Sequence, residues 1–99
     1  MSAKIRASHI LVSTDSRKKD VALTEIEALH KKITDGADFG EVASEASDCP
    51  SGSRGGDLGQ FGRGMMVPEF EEAAFGLDVN AMSGVVETDF GYHLILRTE

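Results

Sequence analysis

Two histidines and one cysteine are the residues of this chain with the most chemistry to offer. His9 lies in KIRASHILV and His93 in GYHLIL, each flanked by apolar residues. A single histidine in such a run is ordinarily a satisfied core polar group. Two of them, in the first and last β-rich runs, form a pair if those runs are neighbours. Each neutral imidazole brings one donor and one acceptor, so the two rings satisfy one another and fix both tautomers. Cys49 has three readings: an inert buried thiol, a nucleophile whose pKa something depresses, or a zinc ligand alongside His9, His93 and His30. Asp48 beside it and the acidic composition count against the nucleophile, and the nearest cation in sequence is Arg54. The spacing of the four candidate ligands matches no compact zinc pattern.

After Cys49 the chain becomes glycine-dense, with six of its eleven glycines between Gly52 and Gly64. Glycine costs about 1 kcal/mol per helical position, so this is no plain helix. Leu58, Phe61 and Met66 are too regularly placed for a plain linker. A loop that bends sharply and presents apolar side chains suits a shaped binding wall. It is not a phosphate loop, because no Gly-Lys-Ser/Thr follows and no apolar strand leads in. Met65, Met66, Phe70 and Phe75 then form an amphipathic run in which Met66, Phe70 and Ala73–Ala74 share a face. Such a stripe is core or the wall of an adaptable cleft.

The elements that must position these residues follow from periodicity. Lys4–Val12 alternates and then ends wholly apolar, which predicts a central strand. Ser13–Asp20, with Arg17, Lys18 and Lys19 in a row, reads as a loop. From about Ala22 to Asp35, Ile26, Leu29, His30 and Ile33 mark a helix face, stopped by Gly36. Asp38 caps a second helix over Phe39–Ser47, with Phe39, Val42, Ala43 and Ala46 inward. A short strand is expected at Leu58–Phe61. A third helix starts at Pro68 and ends near Phe75, with Gly76 as its stop, and Val79–Met82 is a link. Val85–Thr88 and Tyr92–Arg97 flank Asp89-Phe90-Gly91 as a hairpin. The result is an α+β domain on a small, mostly antiparallel sheet.

Ninety-nine residues, 40% hydrophobic and 27% charged, make one ordinary globular domain spanning residues 1–99. The net charge of -7 argues against nucleic acid, which needs a basic face. One cysteine rules out an internal disulfide. No stretch approaches the about 20 apolar residues of a membrane span, and nothing resembles a signal peptide. These features give the expectation of a cytoplasmic protein with no membrane or nucleic-acid partner, the alternative being a domain excised from a longer exported protein; a monomer is expected, though none of these features bears on it.

The segments ASHILV, DGADFGEVA, SDCPSGSRGGDLGQFGRGMMVPEFEEAAF and TDFGYHLILRTE occur in the order found in one known family and run through nearly the whole chain. The sequence resembles the parvulin peptidyl-prolyl cis/trans isomerases, and among them the small stand-alone members. The resemblance implies the parvulin (rotamase) fold, a four-stranded, mostly antiparallel sheet wrapped by three to four helices. It places the family's paired histidines on His9 and His93, its variable active-site cysteine or aspartate on Cys49, and its threonine beside the histidines on Thr88. The cup for the substrate proline falls on Leu58, Met66 and Phe70, with Phe61 adjoining. No cofactor or metal is implied. The expected partners are proline-containing peptides and unfolded chains.

The chain departs from the branch of that family directed at phosphoserine or phosphothreonine before proline, whose first loop is longer and basic. Here Arg17, Lys18 and Lys19 are a partial echo, equally readable as a solvated loop face. Uncharged or apolar residues before proline are therefore expected. The alternative is a chaperone-like module that holds proline-containing segments with little turnover. A scaffolding protein would leave the apolar cup unexplained, and a redox role for Cys49 requires a thiol titrating below neutrality.

Overall fold

The computed structural model describes residues 4–15 and 17–99. Lys4–Ser13 form β1, followed by α1 (Lys19–Thr34), α2 (Phe39–Ala46), a 3-10 turn (Pro50–Arg54), β2 (Asp57–Gly62), α3 (Pro68–Phe75), β3 (Val86–Thr88) and β4 (Gly91–Arg97). The sheet order is β2-β1-β4-β3 and every pairing is antiparallel. The first and last strands are the central pair, matched from Ala7 opposite Arg97 to Ser13 opposite Gly91.

Strand side chains alternate between faces, and each face here has its own core. Ile10, Val12, Tyr92 and Leu94 pack against Ala22 and Ile26 of α1 and Phe39, Val42 and Ala43 of α2. Ile5, Ala7 and Ile95 face the other way, onto Phe61, Phe70 and Ala74. His9 continues the Ile5–Ala7 series and lies opposite Ile95, while His93 lies opposite Leu11. Both histidines thus share the face covered by α3.

Local signals explain most boundaries. The Asp38 carboxylate accepts the Glu41 N–H at 3.0 Å and caps α2. Pro68 occupies the first turn of α3, where its missing N–H costs nothing. α1 starts at Lys19, earlier than the apolar spacing indicated, because Asp20 suits the first turn, where a carboxylate faces the positive end of the helix dipole. Within α1 only Ala22 and Ile26 are buried; Leu29, His30 and Ile33 are half-buried. The 3-10 turn was not legible as such. Pro50 begins it, and Gly55 ends it in the left-handed region at φ 68°.

Gly56 seats the glycine-rich segment on the sheet. Its φ is +85°, and a Cβ there would lie 2.3 Å from the His9 carbonyl oxygen. Its own carbonyl accepts the His9 N–H at 2.9 Å. Backbone therefore touches backbone at the residue that carries the first imidazole. At the other end of β1 the C-terminal residues fold alongside: Thr98 N–H donates to the Arg6 carbonyl at 2.8 Å, and Arg6 N–H donates to that of Glu99 at 3.2 Å.

Candidate active site

A cleft of about 290 Å³ opens over the two histidines, lined by His9, Cys49, Leu58, Met65, Met66, Val67, Phe70, Phe90 and His93. A larger depression of about 480 Å³ on α1, bordered by Asp20, Val21, Thr24, Glu25 and Ala28, has none of this chemistry.

The floor is a hydrogen-bonded row across the sheet. His9 Nδ1 and His93 Nδ1 are 3.2 Å apart, with the rings stacked at 21° and centroids 5.3 Å apart. The Thr88 hydroxyl lies 2.7 Å from His93 Nε2 and accepts the Phe90 N–H at 3.2 Å. One arrangement of protons satisfies most of this row. The Thr88 O–H donates to His93 Nε2, His93 Nδ1–H donates to His9 Nδ1, and His9 keeps its proton on Nε2. That nitrogen is buried without a hydrogen-bond partner among the described residues. Phe70 stands edge-on to both rings, at 5.5 Å and 80° from each. Burial pushes His9 down to about 4, and burial with the neighbouring His9 ring pushes His93 down to about 4. Both rings are neutral at pH 7.

Cys49 forms one wall and is half-buried. The Ser51 hydroxyl donates to its sulfur at 3.2 Å. The Ser47 hydroxyl accepts both the Cys49 N–H at 3.3 Å and the Leu11 N–H at 3.1 Å, tying this wall to β1. The opposite wall comes from the loop into α3. There Gly62 N–H donates to the Met65 sulfur at 3.3 Å, Gly64 N–H donates to Glu71, and the Arg63 guanidinium lies 4.5 Å from the Phe75 ring centroid. Met65, Met66 and Val67 of this loop line the cleft.

The structure therefore brings together His9, Cys49, Leu58, Met66, Phe70 and His93 around one space, with Thr88 behind His93. Phe61 lies elsewhere: it is 1% exposed and packs between Phe70 and Phe75 in the core, behind the cleft. Sequence reasoning did not single out Val67 and Phe90 as lining residues, and treated Met65 only as part of the apolar run. Met65 and Phe90 are 66% and 55% exposed. Large apolar side chains flanking tight turns were the available signal. His30 is on α1, beside Glu27, Gly84 and Val85, and does not join the other two histidines. Among the described residues, no group of three or more His, Cys, Asp or Glu is placed to hold a metal ion.

Comparison with known proteins agrees with this fold. The pattern of the rotamase family, the PPIC-type PPIase domain, matches residues 9–99. The peptidyl-prolyl cis-trans isomerase Pin1 of Digitalis lanata is 43% identical, covering 98% of this chain and 98% of that protein. Foldase protein PrsA of Geobacillus kaustophilus is 50% identical over 97% of this chain, which spans only 32% of that longer protein. The structure of the peptidyl-prolyl isomerase ESS1 from Candida albicans superposes with a TM-score of 0.89 at 36% identity, covering 97% of this chain and 63% of the other. A four-stranded antiparallel sheet, an apolar cleft over two neutral histidines and a family match across nearly the whole length lead to one conclusion: the chain belongs to the parvulins, the PPIC-type peptidyl-prolyl cis/trans isomerases, and is an isomerase of X–Pro bonds.

Proposed function

We propose that this isomerase works without covalent chemistry, by holding the proline ring in the cleft while the preceding carbonyl turns in a poorly solvated space. Rotation about the peptide bond crosses a barrier of about 18–20 kcal/mol because the twisted amide loses resonance. The twisted form is less polar than the planar one, so an apolar enclosure favours it. Binding it better than either planar isomer is sufficient for catalysis. Leu58, Met66 and Phe70 grip the ring, and Phe61 supports Phe70 from behind. His9 and His93, braced by Thr88, hold the floor, and Cys49 sets polarity beside the turning bond. The observation that carries this reading is a largely apolar cleft whose polar members are two neutral imidazoles and a cysteine whose sulfur accepts a hydrogen bond from the Ser51 hydroxyl.

Two features support a preference for apolar or uncharged residues before proline. Met65 and Phe90 extend the apolar surface beyond the cup. Of the basic run, Arg17 is engaged by Asp48 and Glu25, and Lys19 by Glu87. The same reading takes residues 1–99 as one domain, monomeric and cytoplasmic, that assists folding of unfolded chains and has no nucleic-acid or membrane partner. The similarity to a foldase supports the folding role, the net charge of -7 counts against nucleic acid, and no helix among the described residues is long and apolar enough to cross a membrane. The test is cis/trans exchange by NMR in peptides with Leu, Phe, Ala, Glu or phosphoserine before proline. Faster exchange for Leu and Phe than for Glu and phosphoserine is expected. The reverse order overturns the preference, and binding without acceleration leaves a module that only holds its clients.

A further inference from the structure

The end of β1 and the start of the β1–α1 loop are tied both to Phe90, which lines the cleft, and to Asp48, the neighbour of Cys49. On one side, Thr14 N–H donates to the Phe90 carbonyl at 3.2 Å. On the other, Asp48, the residue before Cys49, holds the end of β1 and the loop residue Arg17. Its N–H donates to the Leu11 carbonyl at 2.8 Å, and its carboxylate Oδ2 accepts the Ser13 N–H at 2.8 Å and an Arg17 N–H at 2.6 Å. The same Arg17 nitrogen donates to the Ser13 carbonyl at 3.1 Å, and Glu25 stands 3.6 Å from it. Phe90 and Cys49 both line the cleft, so the ion pair adjoins one lining residue in sequence and is joined to the other through Ser13 and Thr14.

Resting on the isomerase reading above, we propose that Asp48 is a specificity-determining residue, whose carboxylate, one residue from Cys49, neutralises Arg17 and so removes any attraction for acidic residues flanking the substrate proline. A guanidinium free of its partner is a fork of donors suited to carboxylates and phosphates. Held by Asp48 it presents little net charge, and what remains of its field is screened within about a Debye length of 10 Å at 0.1 M salt. Burial alone would raise the Asp48 carboxyl; the Arg17 and Ser13 donors outweigh it and hold the carboxyl below its ordinary value. The pair is therefore intact at neutral pH. Glu25 reaches the same nitrogen from a more exposed side chain and offsets part of its charge, which limits the attraction that Asp48 suppresses.

The experiment compares kcat/KM for a Glu–Pro and a Leu–Pro peptide in the unaltered protein, Asp48→Asn, Arg17→Gln and the double variant. Asparagine keeps an oxygen for the Ser13 N–H, so the loop stays anchored. Asp48→Asn raises the Glu–Pro to Leu–Pro ratio about tenfold, and 0.5 M salt erases the gain, as for a rim charge. Arg17→Gln leaves Asp48 bare and lowers the ratio about threefold. The double variant returns it to within about twofold of the unaltered value. Damage to the fold slows both peptides alike and leaves the ratio fixed. An unchanged ratio in Asp48→Asn and Arg17→Gln, or a gain that survives in the double variant, overturns the assignment. Turnover of the Leu–Pro peptide by the unaltered protein checks the isomerase reading separately.

Discussion

His9 and His93 gain protons in the unfolded chain near their ordinary value of 6.5, whereas burial delays this in the native state to about 4. Between those values the unfolded state binds more protons, so stability falls as pH falls through the window and is level above it. The melting temperature should hold above pH 7 and descend from about 6.5 to 4, and replacing both residues (His9→Leu with His93→Leu) should remove that descent. Isomerase activity should stay level down to about pH 5 and fall as the rings charge near 4. For Cys49, Cys49→Ala and Cys49→Asp should each keep kcat/KM within about tenfold, since a polarity effect on the barrier is worth about 1.4 kcal/mol or less. Loss of turnover in both variants with the fold intact would make the sulfur a reactant. The histidine pair was legible because both residues interrupt apolar runs at the two ends of the chain. Phe61 was not separable from Phe70 by residue type. Its side-chain direction depends on strand parity, and the pairing of β2 with β1 slips between Arg6 and Ser8.

At the scale of elements, the glycine-rich segment is a fitted part rather than a flexible one. Gly56→Ala puts a methyl onto the His9 carbonyl and demands a left-handed φ, and should cost about 2–4 kcal/mol together with most of the activity. Gly59 also has a positive φ, of +73°, but open space around it. Gly59→Ala should therefore cost about 1 kcal/mol in the same denaturant titration and leave turnover near normal. Equal losses at the two positions would mean that backbone contact at His9 is unimportant. The helices were readable from apolar spacing, the Asp38 cap and Pro68. The 3-10 turn at Pro50–Arg54 was not, because a single tight turn has no periodicity to display. Similarly, the hold of Asp48 on Ser13 joins residues 35 positions apart and leaves no local signature.

Across the whole molecule, the site cannot exist before the sheet does. His9 and His93 are 84 positions apart and meet only when β1 and β4 pair at the centre of the sheet. Loss of activity and loss of far-UV circular dichroism should therefore share one denaturant midpoint. The slowest-exchanging amides should lie in β1 and β4, where the chain is covered on both faces. A site that vanished at lower denaturant than the sheet would show that the cleft walls open separately.

The alignment of the C-terminal residues with the beginning of β1 has a modular consequence. Arg6 exchanges backbone hydrogen bonds with Thr98 and Glu99 at the end of the strand away from Ser13 and the Phe90 turn. The start of β1 and the last residues thus lie side by side, like the two pins of a plug, at the end of β1 away from the Phe90 turn that lines the cleft. A host chain can receive this segment between two of its own residues at little cost in loop closure.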